Sequence, residues 1–172
     1  MEYGYYRVET VRNDTEEAKG GYMCAINLVL SKLLEISPDH EDELVIAMDK
    51  SKDPRVTALK SIIYYLGDIP IPDIYAENKS SYVCLYRYEE FCEAVDYLSE
   101  VSDLLEETTQ GKYSLYYKLF DDIGDEDIVY EDAYQIVITR ERYENLVKCY
   151  PYNDLDCALF FSDEENEDFD EF

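Results

Sequence analysis

The chain has 172 residues, 47% of them apolar and 15% aromatic, with 41 Asp and Glu against 15 Lys and Arg for a net charge of −26. That apolar content is enough to build a core and excludes the disordered class, which is poor in such residues. The charge argues against direct binding of nucleic acid or of anionic membrane surfaces, and leaves a basic protein, a cationic ligand or a divalent metal as partner.

The elements follow in chain order. Residues 2–12 are aromatic and β-branched and are predicted to form a strand. Residues 13–21 are polar and end in glycine, which predicts a connection. Met23, Ile26, Leu30, Leu33 and Leu34 recur at helical spacing and predict a helix over 22–36. A short helix is expected over 41–49. Asp53 followed by Pro54 reads as an N-cap and first helical position, for a helix running to about residue 66. Pro70 and Pro72 make 69–73 an extended linker or edge structure.

The second half predicts a strand over 81–87, a long amphipathic helix over 88–107, a strand over 112–120 after Gly111, and an acidic segment over 121–132. A strand over 133–138 comes next, then Thr139 as N-cap of a helix over 140–149, a last strand over 157–161 and an acidic tail. Tyr88-Glu89-x-Phe91-x-x-x-Val95 is echoed by Arg140-Glu141-x-Tyr143-x-x-x-Val147, each directly after a strand. Two strand–helix–strand units imply an α+β fold: a ferredoxin-like antiparallel sheet with helices on one face, preceded by a helical subdomain. The expected division is 1–78 for the N-terminal strand and helical subdomain, 79–162 for the α+β domain and 163–172 for the tail.

Enzyme chemistry is not expected. Catalysis needs a group titrating near the working pH or an activated nucleophile. The one histidine, His40, sits between Asp39 and Glu41 and reads as a solvated surface residue. Phosphate-loop and nucleophile-elbow motifs are absent from the sequence. The five cysteines, Cys24, Cys84, Cys92, Cys149 and Cys157, have no zinc-like spacing and read as reduced, largely buried thiols of a cytoplasmic protein. Residues 1–19 lack the apolar core of a secretory leader. No cofactor or metal is expected: the acidic segment places Gly124 fourth, where a calcium loop needs glycine sixth.

The functional signal is a row of like charge. Glu89, Glu93, Asp96, Glu100, Asp103 and Glu107 recur at steps of four, three, four, three and four, which sets all six along one face of the long helix. Residues 88–111 contain no Lys or Arg, although an ordinary solvated face would gain from mixed i,i+4 pairs. Asp121, Asp122, Asp125, Glu126 and Asp127 extend the unbalanced charge. A rigid carboxylate row can engage cations that otherwise track a phosphate backbone.

In charge, size, its 19 tyrosines and its lack of catalytic motifs, the chain resembles the acidic nucleic-acid-mimic inhibitors, a group that includes phage anti-restriction and anti-CRISPR proteins. The resemblance implies a viral or mobile-element protein that blocks the basic groove of a nucleic-acid-binding enzyme in the host cytoplasm. The alternatives are an immunity protein neutralising a basic nuclease toxin, and an acidic adaptor or chaperone for basic proteins.

Overall fold

The computed structural model describes residues 4–67, 69–121, 123–148 and 153–154. The strand expected at 157–161, the tail 163–172 and Asp122 lie outside the described residues.

The N-terminal strand decides the architecture. β1 (Tyr5–Arg12) buries Tyr6 and Val8 on one face, and Tyr5 and Glu9 on the other. A strand buried on both faces belongs in the middle of a sheet. Along its full length it runs antiparallel to β4 (Tyr113–Phe120), with Tyr5 opposite Phe120 and Arg12 opposite Tyr113. Its other edge pairs first with β3 (Tyr82–Arg87), through Tyr5 and Tyr6, and then with β2 (Glu17–Gly20). Beyond β3 lie β6 (Gln135–Thr139) and β5 (Tyr130–Glu131), and beyond β4 lies β7 (Asn153–Asp154). The order is β5-β6-β3-β1-β4-β7 with β2 beside β1, all antiparallel.

Two expectations are corrected here. A ferredoxin-like order would seat residues 133–138 between the strands at 81–87 and 112–120. Instead β1 takes that place, and β6 lies outside β3. Helices also cover both faces of the sheet, not one. α1 (Tyr22–Leu34), α2 (Glu41–Lys50), α3 (Pro54–Leu66) and α5 (Tyr88–Thr109) share one apolar cluster with Val8, Leu115 and Tyr117. α6 (Arg140–Val147) packs Tyr143 on the opposite face, against Tyr5, Val83, Leu85, Phe120, Ile136 and Ile138. Those apolar side chains alternate with the first set along the strands and would otherwise face water. The N-terminal helices have no core of their own, since Ile26, Val29, Leu59 and Ile62 bury in the same cluster as Val95 and Leu98 of α5.

Local chemistry fixes the element ends. Asp53 Oδ1 accepts the Arg55 backbone N–H at 2.9 Å, with Pro54 in the first helical position. Thr139 Oγ1 accepts from the Arg142 backbone N–H at 3.2 Å and starts α6 directly from β6. α5 ends on Gln110 and Gly111, whose φ of 77° a glycine adopts without steric cost. Two short elements differ from expectation. β2 forms within the expected connection at 13–21. α4 (Asp73–Glu77) follows the prolines, with the Tyr75 and Ala76 N–H groups donating to the Pro72 carbonyl. Among the described residues, no helix is long and apolar enough to cross a membrane.

Candidate functional site

α5 is a continuous helix of 22 residues, and its buried side is Phe91, Ala94, Val95, Leu98, Val101 and Leu105. This stripe packs on α1 and β4 and fixes the rotation of the helix. The opposite side therefore faces solvent, and there Glu89, Glu93, Asp96, Glu100, Asp103 and Glu107 are all exposed. Eighteen residues at about 1.5 Å per residue give a row about 27 Å long, with a mean gap of roughly 5 Å.

Among the described residues none of the six is in an ion pair. The described pairs take the cations elsewhere: Arg7 to Glu9, Arg12 to Asp14, Lys19 to Glu17, Arg55 to Asp53, Lys60 to Asp49, Arg87 to Glu131 and Arg142 to Asp127. Arg55 feels the charge of Glu107, but its guanidinium forks onto Asp53. Glu90, half-buried at the flank of the row, has its pKa raised by burial and then by Glu93 and Glu89.

The middle of the second acidic segment lies on the other side of the sheet. Ile123 and Ile128 pack into the α6 cluster, which anchors the turn Asp125–Asp127 between them. Asp125 and Glu126 are exposed, whereas Asp127 is half-buried and takes the Arg142 Nε–H at 3.0 Å. Asp121 follows β4 and is exposed. The fold thus does not merge the turn Asp125–Asp127 with the α5 row into one continuous face. They share only one end of the sheet, where the Tyr88 N–H donates to Gly4 and the Gly4 N–H donates to Phe120.

A buried polar cluster beneath α6 went unforeseen. Glu9 and Lys118 are buried, and Arg7 is nearly so. Arg7 Nε donates to Glu9 at 3.3 Å, and its Nη1 donates to the Cys84 carbonyl at 3.1 Å, where β3 parts from β1. The Arg7 guanidinium also lies 5.6 Å from the Tyr143 ring centroid, and Lys118 Nζ donates to the Val147 carbonyl at 3.3 Å. Burial lowers the Lys118 pKa and Glu9 opposes the shift. The available signal was Lys118 within the otherwise apolar run 115–120, since a charged residue inside a buried strand implies a partner.

His40 is exposed, with Nδ1 3.7 Å from Glu43 Oε2. Among the described cysteines Cys84 is buried, its thiol pushed up to about 11 chiefly by burial, and Cys24 is half-buried. Cys92 is exposed beside the row, contrary to the expectation of buried thiols. Among the described residues no group of three or more His, Cys, Asp or Glu is placed to hold a metal ion. Comparison with protein-family models, with curated proteins and with solved structures finds no match.

Proposed function

We propose that this protein is a stoichiometric inhibitor, not an enzyme, which presents the α5 carboxylate row to the basic nucleic-acid-binding groove of a host defence nuclease of CRISPR or restriction type. The observation that carries the reading is the row itself: six exposed carboxylates on one rigid helix, with no cation paired to them among the described residues. One strand of duplex DNA carries a phosphate about every 3.4 Å of axis, so the row has roughly two-thirds of the linear charge density of a single strand. Its anchoring by a buried apolar stripe holds the helix in place, so a groove that binds the row has only the side chains left to order.

The test neutralises Glu93→Gln, Asp96→Asn, Glu100→Gln and Asp103→Asn together, and compares the variant with the wild type in cells carrying individual restriction or CRISPR systems challenged by phage. Wild type should restore phage growth against one system, and purified protein should compete with duplex DNA or guide RNA for that effector. The variant should lose both effects. Equal protection by a folded variant sinks the proposal.

A further inference from the structure

A second surface, at the β5–β6 edge of the sheet, combines exposed rings with carboxylates. Asp132 organises it. Its Oδ1 accepts the backbone N–H groups of Tyr134 at 2.8 Å and Gln135 at 3.0 Å. Its Oδ2 accepts the Tyr130 hydroxyl and Gln135 Nε2, each at 3.1 Å. Gln135 Nε2 also donates to the Pro70 carbonyl at 2.5 Å, which ties the segment before α4 to this edge. These bonds tie residues 70, 130, 132, 134 and 135 together, and Ile71, Tyr130 and Tyr134, on or next to them in the chain, are 68%, 38% and 39% exposed. Asp73 is exposed and acts electrostatically on the Tyr130 hydroxyl.

The same fold shows what completes a ring-and-carboxylate pair. Arg7 lies over the Tyr143 ring and bonds Glu9, and Arg87 lies 5.8 Å from the Tyr5 ring centroid and bonds Glu131 at 2.9 Å. In both places an arginine bridges ring and acid. A guanidinium suits this pairing better than an ammonium because it is flat, stacks on aromatic faces and bonds carboxylates in a fork. A second copy of this chain is a poor occupant, because two chains of charge −26 repel.

We infer that the edge formed by Ile71, Tyr130 and Tyr134 with Asp73 docks an arginine-bearing, extended segment of a partner protein. The apolar side chains receive the stem of the arginine, and the rings and Asp73 receive its head. This surface is distinct from the α5 row and does not depend on it.

The probes are two twelve-residue peptides of equal charge, one carrying arginines and one lysines, titrated calorimetrically into the full chain at physiological salt. Wild type should bind the arginine peptide at least about twofold more tightly than the lysine peptide, because a guanidinium both stacks on the rings and forks onto a carboxylate. Ile71→Ser with Tyr134→Ala should erase that preference, while the four-residue neutralisation of α5 should weaken both peptides alike and leave it intact. In wild type the arginine peptide should also slow amide exchange across residues 129–137, a readout that needs no variant. Equal binding of the two peptides, a preference that survives the edge variant, or unchanged exchange at 129–137 would overturn the inference.

Discussion

The Tyr143 hydroxyl donates to Glu9 Oε1 at 2.5 Å, joining α6 to the central strand across a separation of 134 residues. Glu9 also holds Arg7, so one buried carboxylate neutralises the guanidinium and accepts the phenol. Hydrogen bonds to charged groups contribute about 1.5–3 kcal/mol, and removing one partner of a buried pair costs about 3–5 kcal/mol. Tyr143→Phe should therefore lose about 2 kcal/mol in urea unfolding. Glu9→Ala should lose more, because it strands the Arg7 charge. In the double variant the Tyr143 change should cost much less than it does alone. Additive losses would separate the two residues energetically.

Repulsion along α5 makes stability depend on salt. Neighbouring carboxylates roughly 5 Å apart are hardly screened at 0.01 M salt, where the Debye length is about 30 Å, and are better screened at 0.15 M, where it is about 8 Å. The thermal midpoint should rise over that range. It should rise less in the variant neutralised at Glu93, Asp96, Glu100 and Asp103. That variant should also be the more stable at low salt, since like-charge i,i+4 pairs cost a few tenths of a kcal/mol each.

Acid should act in two opposed steps. Glu90 has a folded pKa above its ordinary 4.5, from burial and then Glu93 and Glu89, so the folded state takes up its proton first and stability rises as pH falls toward 4.5. Asp132 behaves oppositely. Burial pushes its pKa up, but the hydrogen bonds from Tyr134, Gln135 and Tyr130 outweigh that and hold it below the ordinary 3.8. Its contribution is complete above 3.8 and is lost as pH falls through its lowered value. Thermal midpoints measured from pH 7 to 3 should rise and then fall. Glu90→Gln should reduce the rise, and Asp132→Asn should reduce the fall.

Thiol accessibility gives a check on the packing of α5. Cys92 is exposed, while Cys84 is buried with its thiol pushed up to about 11. In native protein at pH 7.5, iodoacetamide should modify Cys92 well before Cys84, as followed by peptide mass spectrometry. Comparable rates would contradict the orientation of the helix.

Thr139 caps α6 by accepting the Arg142 N–H. Thr139→Ala should destabilise the fold by about 1 kcal/mol, and Thr139→Asp should retain most of the stability. A neutral Thr139→Ala would mean that the cap bond adds nothing to the packing that holds α6.

Most elements were legible because their signals are local. The apolar spacing of α5, the Asp53-Pro54 start of α3, the Thr139 cap and the glycine after α5 each act within a few residues. The echo between the two helix starts also has a structural counterpart, since Phe91 and Tyr143 are both buried in the first turns of their helices. It carried no information about which face of the sheet each helix covers. The docking edge was illegible for a related reason: the segment that carries Ile71 is far in sequence from β5 and β6 and is tied to them by the bond from Gln135 to the Pro70 carbonyl.

Sequence alone determined the α5 row, because helical periodicity converts spacing into a face without reference to the rest of the chain. Tertiary structure decided the placement of β1 in the middle of the sheet, the transfer of α6 to the far side and the separation of Asp125–Asp127 from the row. These choices depend on which apolar faces must be covered together. That is settled by the burial of the whole chain, and no single segment contains it.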